Sequence, residues 1–110
     1  IVLNAAGGAA TAPSDQFGAL PVWDLSDLYA SPEAPEIARD LARSAATAKD
    51  FAASYRGKLD ALIAGPNGGD ALAGAIRTYE ALEDTLGRIM SYAGLLYATD
   101  NTNPAFAKFY

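Results

Sequence analysis

Any chemistry this chain performs must come from carboxylates, phenols and hydroxyls, because the sequence contains no His and no Cys. That absence removes the usual ligands of zinc, disulfides, thiol nucleophiles and Ser-His or Cys-His pairs. Among the carboxylates, Glu80 and Asp84 stand one helical turn apart. Nothing in their surroundings separates two pKa values as an acid/base pair requires. Glu83 falls at an angle between Ile76 and Met90, on the apolar side, where an ionised carboxylate needs a cation or a wet cavity. Arg39, Arg43 or Arg56 is expected to supply a structural ion pair, with the lining of a polar channel as the alternative. Asp100-Asn101-Thr102-Asn103 collects oxygen ligands but lacks the Gly and distal Glu of a calcium loop, so it reads as a helix stop and restart. The glycines at 65, 68 and 69 surround Pro66 and Asn67 with no Lys-Ser/Thr after them, and Asp70 adds negative charge; this is a loop, not a phosphate cradle. No catalytic, cofactor-binding or metal-binding residue is assigned.

The elements that carry these residues are helical. Asp24 is a plausible cap for one short turn bearing Leu25 and Leu28, with the single Trp, Trp23, expected to anchor it. Ser31-Pro32-Glu33-Ala34-Pro35-Glu36 signals a helix start, and Pro35 disfavours helical geometry at Ala34, so the continuous helix begins at Pro35 or Glu36. Ile37, Leu41, Ala45, Ala48, Phe51, Ala52, Tyr55, Leu59 and Leu62 then recur at helical spacing and predict the buried stripe, bulky at its ends and thin in its middle. Gly57 ends or interrupts this helix in the left-handed conformation. Asp70 is expected to cap a second long helix whose seam is Leu72, Ile76, Tyr79, Leu82, Leu86, Ile89, Ala93 and Leu96. Arg77, Glu80, Asp84, Arg88 and Ser91 make its solvated face, with Asp84 and Arg88 as an exposed ion pair. Beyond Gly87, Tyr92, Leu95 and Tyr97 widen the apolar surface and call for more than one covering element. Asn103-Pro104 starts a third helix.

The prediction is therefore all-α: an antiparallel hairpin of two long helices plus the start of a third, with a flexible leader over residues 1–19 and a helical lobe over 20–110. At 110 residues the chain fits one domain, and 25 of its apolar residues are only Ala. A net charge of −5 with scattered basic residues argues against nucleic acid and anionic membranes as partners. No run approaches the roughly 18 continuous apolar residues of a membrane span. The first residues do not resemble an export signal, so a cytoplasmic location is expected. The start at Ile1 and the stop at Tyr110, inside a helical pattern, suggest a truncated fragment.

Several blocks in order carry a resemblance. Leu20-Pro21-x-Trp23-Asp24-Leu25-Ser26-Asp27-Leu28-Tyr29 precedes the Ser-Pro helix start. Then come Tyr55-Arg56-Gly57-Lys58-Leu59, Tyr79-Glu80-x-Leu82-Glu83, Gly87-Arg88-Ile89-x-Ser91-Tyr92-Ala93 and Asp100-x-Thr102-x-Pro104. Together, over residues 20 to 110, they resemble the N-terminal region of oligoendopeptidase F, within the thimet-oligopeptidase-like zinc metallopeptidases. The resemblance implies a larger helical enzyme in which a His-Glu-x-x-His helix and a downstream Glu hold zinc and activate water to cleave short peptides. None of those residues transfers to a chain without His, so zinc belongs to the parent enzyme. What transfers is a position: an outer helical wall of the substrate channel, inert by itself, whose partners are the remainder of the peptidase and short peptides. Tyr79, Tyr92 and Tyr97 are candidates to face that channel, although spacing makes Tyr79 and Tyr97 core residues first. The competing reading is a free-standing helical interaction module that self-associates through its apolar seam. An isolated fragment is expected to form a homodimer that completes a four-helix bundle.

Overall fold

The structure is a computed structural model that describes residues 18, 19 and 21–110. The leader expected over residues 1–19 therefore lies outside the described residues except for Gly18 and Ala19. Among the described residues the fold is all-α and contains no strand: α1 (Pro35–Tyr55), α2 (Leu59–Ala64), α3 (Gly68–Thr99) and α4 (Pro104–Phe109). No helix among them is long and apolar enough to cross a membrane.

Local chemistry sets the helix ends. Pro35 opens α1 at the position its fixed φ favours. The Ser31 hydroxyl accepts from the Glu33 amide at 3.3 Å, so it shapes the preceding turn and does not cap the helix. After Tyr55, Gly57 takes φ +72° and redirects the chain into α2. Helix α3 starts at Gly68, two residues before the expected Asp70 cap. The cause is a close approach: a Cβ on Gly68 would overlap the Ile63 carbonyl, so only glycine lets the loop close this tightly. Asp70 instead sits in the first turn, near the positive end of the helix dipole. At the far end the Asp100 carboxylate accepts from the Thr102 amide at 3.0 Å, and Asn103 caps α4 by accepting from Ala105 at 2.9 Å. These bonds make the expected stop and restart.

Helices α1 and α3 pair antiparallel. Ile37 shares a cluster with Ile89, Ser44 and Thr47 lie across from Leu82 and Thr85, and the Phe51 ring is 6.4 Å from that of Tyr79. The face that α1 buries differs from the expected stripe. Leu41, Ala45 and Ala48 are exposed, and the buried positions are Ile37, Asp40 and Ser44. The helix is rotated because Asp40 must reach a buried phenol, as described below. On α3, Leu72, Leu82, Leu86, Ile89, Ala93 and Leu96 lie inward or half-inward, while Ile76 and Tyr79 are 47% and 51% exposed. Beside them the small side chain of Ala75, next to Ile76 in the chain, is buried.

The core sits at the end of the hairpin away from the glycine loop. Tyr29, Ala34, Ile37, Ile89 and Tyr92 are buried there, with Leu25, Leu28, Leu96 and Phe109 packed around them. The strap (residues 21–34) and α4 supply the covering that the apolar second half of α3 calls for. Trp23, expected as the strap's anchor, is 61% exposed; Leu25, Leu28 and Tyr29 anchor it instead.

Two substitutions test the close approach at Gly68. Gly68→Ala should destabilise the chain by about 1–3 kcal/mol through overpacking. Gly87→Ala, where a Cβ meets nothing within 4 Å, should stabilise it by about 0.5–1 kcal/mol. Urea denaturation of both variants reads the signs, and a neutral Gly68→Ala would contradict the geometry. The register of α3 predicts a second contrast: Ile89→Ala should cost about 2–5 kcal/mol, whereas Ile76→Ala should stay within about 0.5 kcal/mol. Equal losses would mean that the helix is rotated from the face described.

Candidate functional site

The carboxylates that the sequence offers for catalysis do not assemble. Glu80, Glu83 and Asp84 are all exposed. Glu83 is not on the buried side, and the arginines expected to neutralise it are engaged or placed elsewhere. Arg43 donates to Asp40 at 2.9 Å, Arg39 stands 3.8 Å from the same oxygen, and Arg56 lies at the hairpin's closed end. Arg88 does not pair with Asp84 as expected. Its Nε donates to the Leu28 carbonyl at 3.0 Å, 60 residues upstream, and its guanidinium lies 4.4 Å over the Tyr29 ring. Among the described residues no three carboxylates converge as a metal site.

What the fold does assemble is a polar cluster inside the core. The Tyr29 hydroxyl donates to Asp40 Oδ2 at 2.9 Å, and the Arg43 guanidinium donates to Asp40 Oδ1. Tyr29 is 3% exposed and so is Asp40. The Tyr92 ring meets Tyr29 edge-on at 5.4 Å and Phe109 edge-on at 6.0 Å, so strap, α1, α3 and α4 all meet here. Tyr92, a candidate to face a channel, is 2% exposed and belongs to this core. Asp40 escapes a reading of periodicity because a carboxylate on a helix is ordinarily counted toward the solvent face. The usable signal was its i, i+3 spacing from both Ile37 and Arg43.

The cluster moves the Asp40 carboxyl and the Tyr29 phenol, and burial also pushes the Tyr92 phenol up. The Tyr29 hydrogen bond, helped by the Arg43, Arg39 and Arg88 charges and opposed by burial, holds the Asp40 carboxyl below the usual carboxylate range. Burial first, then the hydrogen bond to Asp40 and its charge, pushes the Tyr29 phenol up.

A second feature lies at the closed end of the hairpin. Phe51, Tyr55 and Leu59 on one side and Leu72, Ile76 and Tyr79 on the other line an open groove of about 440 Å³, with Arg56 beside them. The Phe51 and Tyr55 rings pack against each other within it, tilted by 50° with centroids 4.7 Å apart, on the stripe the sequence predicts for this end of α1. Tyr79 borders this groove and is not a core residue; Tyr97 is half-buried, its ring stacked on Tyr110 at 5.6 Å. The groove's lining is mostly apolar, with Tyr55, Tyr79 and Arg56 the residues that bring polar side-chain atoms to it. Its chemistry is that of a surface for apolar side chains. Comparison with protein-family models, with curated proteins and with solved structures finds no match to this chain.

The directions of the Asp40 and Tyr29 shifts predict a pH profile. Asp40, with its folded pKa depressed, contributes stability that is present above its unfolded value near 4 and lost as pH falls through the folded value. Tyr29, with its folded pKa raised, contributes stability that is present below about 10 and lost as pH rises through the folded value. The urea midpoint should therefore be flat between these limits and fall on both sides. Asp40→Asn should make the acid limb shallower, and Tyr29→Phe the alkaline limb. Unchanged limbs in both variants would show that the pair does not couple to folding.

Proposed function

We propose that this chain is the N-terminal helical lobe of a zinc-dependent oligopeptidase of the oligoendopeptidase F kind, forming one wall of a channel for short peptides. The observation that carries the reading is the ordered series of sequence blocks from Trp23-Asp24-Leu25 to Asp100-x-Thr102-x-Pro104. A physical fact supports treating them as one unit: two blocks far apart in sequence touch. Arg88 and Tyr92 of one hold Leu28 and Tyr29 of the other.

In this reading the lobe contributes shape and no chemistry. Zinc does not fit these residues, since the chain has no His or Cys and its described carboxylates do not converge. The metal, the water it activates and the general base belong to the rest of a cytoplasmic parent enzyme. The alternative is a helical module that pairs with a second copy. It is favoured by the exposure of Leu59, Ile63, Ile76 and Tyr79 at the closed end of the hairpin.

Reading the gene downstream and assaying its product separates the two. The peptidase reading expects an encoded His-Glu-x-x-His within several hundred residues, chelator-sensitive cleavage of short peptides by the whole protein, and no turnover by the 110-residue chain alone. A reading frame that ends without the motif, in a product that scatters light as a dimer, would replace it with the interaction module.

A further inference from the structure

The strap has little structure of its own. Its internal backbone bonds are short turns, with the Leu28 and Tyr29 amides donating to the Leu25 carbonyl and the Ala34 amide donating to the Ser31 carbonyl. Side-chain bonds within it, Asp24 to the Ser26 amide and Ser31 to the Glu33 amide, are equally local. Its polar ties to the helices meet at two adjacent residues. Tyr29 donates to Asp40, and Arg88 donates to the Leu28 carbonyl while lying over the Tyr29 ring. Away from that point the strap is lightly held: Val22 and Trp23 are exposed, and Leu25 and Leu28 are only half-buried. At its C-terminal end Pro32 and Pro35, each with a fixed φ, stiffen the junction with α1.

The polar character of the tie matters for how it opens. Opening exposes the Tyr29 ring and the half-buried Leu25 and Leu28 to water. The phenol and the carboxylate exchange their mutual bond for bonds to water, so the polar part of the tie separates at modest net cost. A buried polar pair also fixes one register of docking, since a slipped strap would leave Asp40 sealed without its donor. The strap's share of the core is Leu25, Leu28, Tyr29 and Ala34, and its backbone has only local turn bonds behind them, the profile of a segment that can open ahead of the helices.

We propose that the strap is a latched lid: residues 21–31 undock as a unit about the Pro32 to Pro35 junction while α1 and α3 remain paired. Tyr29 is the moving part of the latch, and Asp40 and Arg88 are its fixed part. Opening uncovers Ile37, Ile89 and Tyr92, the buried apolar face at this end of the hairpin. The inference does not depend on the peptidase reading.

The only Trp of the chain lies in the strap, so two probes separate lid from hairpin. Urea titration of the 110-residue chain, followed by Trp23 fluorescence anisotropy and by far-UV circular dichroism, should give a Trp23 transition that precedes the loss of helix. Tyr29→Phe keeps the ring and removes the donor. It should raise the opening constant read by Trp23 about tenfold or more, with a much smaller shift in the helix transition. Arg88→Gln, which leaves the aromatic core intact, should widen the gap in the same way. Superimposed transitions in the wild type and both variants would overturn the proposal. So would loss of helix in buffer by both variants, because strap and hairpin would then be one cooperative unit.

Discussion

The Tyr29 hydroxyl and the Asp40 carboxylate meet where both residues are almost sealed from water, and most of the molecule's arrangement can be traced from that bond. A buried phenol needs an acceptor, and a buried carboxylate needs donors and positive charge. Asp40 therefore has to face inward, which turns α1 so that Ser44 follows it to the interface and Leu41 is left outside. Arg43 comes round to the other carboxylate oxygen, and Arg88 crosses from α3 to hold the strap by its backbone and the Tyr29 ring by its face. Tyr92 and Phe109 then close the cluster as successive edge-on rings. The polar bond sets orientation, and the aromatic rings together with Ile37, Ile89 and the flanking leucines provide the apolar burial.

Packing thins from this end of the hairpin toward the glycine loop. In the middle the inner faces carry small hydroxyl residues, and Thr78 and Thr85 satisfy their hydroxyls within α3 by donating to the Gly74 and Ala81 carbonyls. At the closed end the buried residues of α3 are the small Gly68 and Ala75, and larger side chains around Ala75 form an open groove. The described residues so combine one well-formed core with an apolar surface that they do not cover. A wall built to stand against other helices has that profile, and so does a module that pairs with a copy of itself.

Element ends were legible in the sequence because they depend on local chemistry. The Ala34–Pro35 restriction, the left-handed Gly57, the loop around Asn67 and the Asn103 cap each act through one or two neighbouring residues. The buried faces were less legible because tertiary partners decide them. Nothing near Asp40 in the sequence announces a phenol 11 residues earlier as its donor. Arg88 had a suitable partner one turn away in Asp84 and took a carbonyl 60 residues away instead. Trp23 illustrates the converse, since its size argued for burial and three neighbouring residues anchor the strap in its place. For function, the missing His and Cys removed most chemistries at once, while the positive reading rests on the order of blocks in the sequence.

The bond between Tyr29 and Asp40 is the contact on which the surrounding arrangement depends, and a double-mutant cycle isolates it. Urea stability at neutral pH would be measured for Tyr29→Phe, Asp40→Asn and the pair together. If the phenol and the carboxylate hold each other, the double variant loses clearly less than the sum of the two single losses, because each single change already breaks the shared bond. Strictly additive losses would mean that the two side chains act independently, and the organisation described around them would fall.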